Sequence, residues 1–147
     1  MFHALLTSPI LPQAILLFMV CFILLFSAFF PKDNYGVYAL SQLTLLLSAW
    51  SCTWLSGATM HVQYLFNHAI MFDSLGNEST LIILLLVFVC FIFSRKYNNE
   101  QSIPPQEFYI LALLSTLGMM VLVVAANLLT LYLGIELMSL PLYALIA

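Results

Sequence analysis

Glu136 is the residue whose setting asks for a chemical explanation. It stands in the run Tyr132-Leu133-Gly134-Ile135-Glu136-Leu137-Met138-Ser139-Leu140-Pro141-Leu142-Tyr143, which holds no other charge. If the helix carrying it starts near Asn127, nine residues at about 1.5 Å each put the carboxyl roughly 13 Å deep in a hydrocarbon core about 30 Å thick. A charged side chain at such a depth costs about 2.5 to 3.5 kcal/mol, so its presence points to function. Desolvation penalises the charged form of a carboxyl, and a group that trades protons rather than holding a fixed charge suits a proton relay. The neighbours fit that role. Gly134 admits a second backbone, Ser139 follows three residues on along the same face, and Pro141 has no N–H for the carbonyl of Leu137, which frees an acceptor and distorts the helix. The competing reading is a neutral glutamate hydrogen-bonded between helices as a structural tie.

The other reactive side chains are explained without chemistry. His3, His61 and His68 titrate near neutrality, but all fall outside the apolar runs and read as solvated or interfacial imidazoles. Cys21, Cys52 and Cys90 are single, without CxxC spacing, and read as small buried hydrophobes rather than a zinc site or disulfide framework. Met119-Met120 reads as packing filler, and the glycosylation-like triplet Asn77-Glu78-Ser79 falls in the first turns of a predicted helix. Trp50, Trp54, Tyr64 and Tyr109 lie near predicted membrane interfaces, where amphipathic rings settle. Nothing here forms a ligand set for a flavin, an iron–sulfur cluster, a nucleotide or a metal.

The element that carries Glu136 must therefore be a membrane span, and composition extends this to most of the chain. Of 147 residues, 64% are hydrophobic and 6% charged, against roughly a quarter charged in a soluble domain. The expected fold is all-α, a polytopic transmembrane bundle of about five spans in one membrane domain, 1–147. The spans are drawn at about 12–30, 35–55, 74–93, 107–126 and 127–147. The second is rich in Ser, Thr and Gln and is expected to face protein more than lipid. Residues 58–72 read as a loop or interfacial segment and 97–106 as the most hydrophilic loop. Asp73 is placed to cap the third helix, and Glu107, after prolines, to open the fourth.

Lys32 follows the first span and Arg95 and Lys96 follow the third, so alternating spans place all three cations on one side. The positive-inside rule makes that side the cytoplasm or matrix, with the N-terminus outside. A cleaved signal peptide is not expected, since no Lys or Arg precedes the first apolar run. A net charge of -3 without a basic cluster gives no footprint for nucleic acid. The fifth span runs to Ala147 without a polar stop, as in a fragment of something larger.

Residues 107–145 carry a resemblance. Glu107-Phe108-Tyr109-Ile110-Leu111, then Ala125-Ala126-Asn127-Leu128-Leu129, then Tyr132-Leu133-Gly134-Ile135-Glu136-Leu137-Met138-Ser139-Leu140-Pro141-Leu142-Tyr143-Ala144-Leu145 strongly resemble the subunit N family of bacterial NADH:quinone oxidoreductase, respiratory complex I. Its mitochondrial counterpart is NADH dehydrogenase subunit 2. Asp73 and its apolar helix match more loosely, and the first 70 residues only in hydropathy and span order. The resemblance implies the N-terminal third of an antiporter-like fold, with the glutamate at position 136 pairing with a lysine on a later helix to move protons. No Lys or Arg follows Lys96, so that partner lies outside this chain. It further implies other complex I membrane subunits as partners, with flavin, iron–sulfur clusters and quinone held elsewhere, in the bacterial inner membrane or, alternatively, the mitochondrial one. The rival readings are a subunit of a related cation/proton antiporter or membrane hydrogenase, and a purely structural scaffold.

Overall fold

The computed structural model describes residues 10–29, 34–56, 63–65, 69–101 and 105–146. Over these the apolar runs close into helices α1 (Leu11–Phe29), α2 (Asn34–Ser56), α3 (Ser74–Gln101), α4 (Pro105–Val123) and α5 (Leu128–Ile146), with strands β1 (Gln63–Leu65) and β2 (Ile70–Phe72) between α2 and α3. In hydrocarbon every backbone N–H and C=O must be satisfied within the segment, which is why such runs become helices. Four are long and apolar enough to cross a membrane: α1, α3 over Ser74–Lys96, α4 over Gln106–Val123, and α5. The chain is an all-α membrane bundle.

Helix α2 has the length to span but less apolar character, because its packed side is built from small polar residues. Ser41, Thr44, Ser48 and Ser51 are buried, interleaved with Val37, Leu45 and Cys52. The hydroxyls of Ser41, Thr44 and Ser51 donate to the carbonyls of Tyr38, Leu40 and Ser48, each at 2.7 Å. Satisfied within their own helix, these short side chains let α1, α3 and α4 close onto α2. The core is completed by Leu16, Val20 and Ile23 of α1, Leu84 and Phe91 of α3, and Leu113, Leu117 and Met120 of α4.

Cross-links show how the helix ends group. At one end Ser27 of α1 donates to Gln106 of α4 at 2.7 Å, and Arg95 of α3 lies over Tyr35 and Tyr38 of α2. At the other, Asn77 Nδ2 of α3 donates to the Cys52 carbonyl of α2 at 3.1 Å. That bond gives the Asn77-Glu78-Ser79 triplet a packing role. There too the hairpin takes up the α4–α5 connection: Met71 N–H donates to Val124 O at 2.9 Å and Ala126 N–H to Ala69 O at 3.0 Å.

Several expectations need correction. The hydrophilic stretch at 97–106 is not a loop throughout, since α3 continues to Gln101 and α4 already begins at Pro105. Polar residues end the hydrocarbon, not the helix: Lys96, Glu100 and Gln101 are good helix formers, and only the prolines enforce a restart. Likewise α4 stops at Val123 rather than near 126, because Ala125 bridges to Ile70. The segment at 58–72 holds an antiparallel hairpin pairing Tyr64 with Met71. Of the cysteines only Cys52 is buried, Cys21 and Cys90 being exposed, because lipid-facing positions are as apolar as core ones. Tyr109 is 2% exposed rather than interfacial, ringed by Phe91, Tyr38 and Phe108 at 5.1, 5.5 and 5.5 Å. The three histidines and Lys32 lie outside the described residues.

Candidate functional site

The site is built on the α4–α5 hairpin. Asn127 starts α5: its Oδ1 accepts both the backbone N–H and the hydroxyl of Thr130 at 2.8 Å, holding two donors of the first turn with one oxygen. Helix α5 then runs back along α4, and glycines set how closely. A Cβ at Gly118 would lie 2.7 Å from Met138 Cα and 2.8 Å from the Leu137 carbonyl carbon, so only glycine fits beneath that backbone. A Cβ at Gly134 would meet Leu122 Cγ at 2.9 Å and Leu122 N at 3.1 Å. This exchange of notches is the small-residue packing of apolar spans, where close backbone approach replaces the hydrophobic drive absent in lipid.

A polar tie crosses the same seam. Ser115 of α4, buried, donates to the carbonyl of Met138 at 3.1 Å. The proline at 141 leaves the neighbouring carbonyl of Leu137 without its usual i+4 donor, so α4 grips α5 where the helix ladder is weakest. Even so, α5 is continuous through Pro141 to Ile146.

Glu136 is the ninth of the nineteen residues of α5, midway along a span. Gly134 and Pro141, two turns apart, are both buried on the α4-facing side. Glu136 follows Gly134 by two residues, about 200° around the helix, and so points away from that seam. It is half-buried. Tyr132, one turn before, stands beside the carboxyl on the same face, while the Ser139 hydroxyl donates to the backbone carbonyl of Glu136 at 3.3 Å. Around them on the same outer face stand exposed Leu129, Leu133, Leu140 and Tyr143. The arrangement is a carboxyl beside one phenol on an otherwise apolar face. On the side turned away from α4, the carboxyl oxygens can accept hydrogen bonds from a further donor.

Three participants escape a reading centred on charge. Tyr132 stands four residues before Glu136, the spacing that places side chains on one helical face. Ser115 and Gly118 are small residues in an apolar helix, the kind that lets a second backbone approach. Among the described residues no three His, Cys, Asp or Glu side chains gather as a metal-binding group.

No protein-family model matches the chain. Curated relatives do. NADH-quinone oxidoreductase subunit N of Coxiella burnetii is 43% identical over 142 residues, 95% of this chain and 29% of that relative. The subunit N of Nitrosomonas europaea is 39% identical over 143 residues, and that of Thioalkalivibrio sulfidiphilus 36% over 140, again covering 95% of this chain and 29% of each relative. The chain therefore spans under a third of the length of the curated relatives it matches. The similarity reaches well beyond 107–145 into the first three helices. Over 95% of its length, the chain is similar to subunit N of bacterial NADH-quinone oxidoreductases.

Proposed function

We propose that the chain is part of an antiporter-like membrane subunit of a proton-pumping NADH:quinone oxidoreductase, and that Glu136 is a proton relay in it. The observation that carries this is a single acid midway along an apolar span, beside one phenol and turned away from the tightly packed α4 seam. A residue kept only to tie α4 to α5 belongs in that seam, where Ser115 and the two glycines already do the tying. An acid on the far side has protons or a further helix to meet. NADH oxidation and quinone reduction, with flavin and iron–sulfur clusters, fall to partner subunits. The chain lies in the bacterial inner membrane, with the Arg95–Lys96 end of α3 at the cytoplasm and the hairpin outside.

The test is Glu136→Gln in the intact complex, a change that keeps shape and most hydrogen bonding while removing the titratable proton. The relay reading expects assembly and NADH oxidation to survive, with most of the proton translocation per NADH lost. Unchanged translocation in an assembled complex would leave only the structural role.

A further inference from the structure

Arg95 is held in a way that membrane topology alone does not require. Its guanidinium carbon sits 5.0 Å from the ring centroid of Tyr35 and 4.9 Å from that of Tyr38. A positive-inside signal needs only a charge near the end of a span, which a freely moving lysine supplies equally well. Two aromatic rings on α2 gripping a cation on α3 fix its position as well as its sign.

Its location identifies what the fixed cation faces. Arg95 and Lys96 are the last residues of the apolar span Ser74–Lys96, so the guanidinium lies where hydrocarbon gives way to headgroups. Both side chains are exposed. Among the described residues the groups acting on Arg95 are Tyr35 and Tyr38, with no carboxylate among them. Exposed Ile92 and Phe93 continue the apolar surface from this point toward the membrane interior. A planar fork of donors matches a phosphate better than an ammonium does, and a guanidinium held over two rings keeps N–H donors for a ligand.

We propose that Arg95, positioned by Tyr35 and Tyr38 and assisted by Lys96, binds the phosphodiester headgroup of an anionic phospholipid, whose acyl chains run along Ile92 and Phe93. The charge that marks topology is thereby a lipid site.

The experiment uses the full-length protein in its native assembly, reconstituted in bilayers of phosphatidylcholine with a minor fraction of phosphatidylglycerol, released into mild detergent and scored for retained lipid by native mass spectrometry. Wild type retains phosphatidylglycerol in excess of its bilayer fraction. Arg95→Gln lowers that retention about fivefold, the effect of one cation near an anionic surface. Arg95→Lys, which keeps the charge but not the fork, and Tyr35→Leu, which frees the guanidinium, each fall between the two. Equal retention by wild type and Arg95→Gln overturns the proposal, and so does full retention by Arg95→Lys, which would reduce the site to bare charge. If Arg95→Gln does not assemble, wild type alone decides, since retention of the two lipids in proportion to the bilayer overturns the site. Excess inorganic phosphate leaves retention unchanged if the acyl chains take part. Displacement by phosphate would show a simple anion site and refute the lipid assignment.

Discussion

A single atom decides how α4 and α5 meet. At Gly118 an added Cβ would strike backbone, Met138 Cα at 2.7 Å, whereas at Gly134 the closest obstacle is the Leu122 Cγ at 2.9 Å and the nearest backbone atom, Leu122 N, is farther off at 3.1 Å. The two glycines are therefore unequal. Gly118→Ala is expected to destabilise the full-length protein by about 1 to 3 kcal/mol, the range for overpacking a filled interior, and Gly134→Ala by less. Thermal unfolding of the purified protein in one detergent ranks them, and the reverse order would show that Leu122 is the more rigid neighbour. Ser115→Ala removes one interhelical hydrogen bond, to Met138 O, and adds no bulk. Its expected cost is about 0.6 kcal/mol and at most about 1.7, as for such bonds between membrane helices.

Helix ends obey different physics from helix interiors, and here sequence and structure part company most. Interiors were legible because hydrocarbon leaves an apolar run no alternative to helix; as helices, α1 and α2 begin and end within a residue of the bounds expected for them. Apolarity marks where the membrane ends, however, and α3 carries on through Arg95 and Lys96 to Gln101 because nothing there breaks a helix. The hairpin was illegible: three-residue strands are too short to show alternation, and the pairing of Ile70 with Ala125 joins residues far apart in sequence. The Asp73 cap could be read locally, and its Oδ1 accepts the Gly76 N–H at 2.7 Å. In the site, charge exposed Glu136 at once, but Ser115 and Gly118 become partners only once α5 is known to lie on α4. Asp73→Ala and Asn127→Ala are each expected to cost about 1 kcal/mol. Asn127→Ala should be the larger loss, since its oxygen holds both the N–H and the hydroxyl of Thr130. Backbone hydrogen exchange should show faster opening confined to the first turn of α3 or α5 respectively, and protection spread unchanged over both turns would mean that neither cap matters.

At the scale of the whole molecule, two features have to agree on one arrangement in the membrane. The helix ends sort into a hairpin end, carrying β1, β2 and the α4–α5 connection, and an opposite end carrying Arg95 and Lys96 over the start of α2. The described residues of the hairpin end include no lysine or arginine, so the two ends differ in the charge that governs insertion. Glu136, midway between them on the outer face of α5, can relay protons across the bilayer only if these ends face opposite compartments. Single cysteines test this in the full-length protein after Cys21, Cys52 and Cys90 are replaced by Ala. Tyr64→Cys, exposed on β1, should react with a membrane-impermeant maleimide once the outer membrane is opened and the inner membrane left intact, and Lys96→Cys only after the inner membrane is permeabilised. The reverse pattern would turn the bundle over and put the three cations outside. Labelling of both positions from one side would mean that α3 does not cross at all, and Glu136 would then lose the two-sided setting that a relay requires.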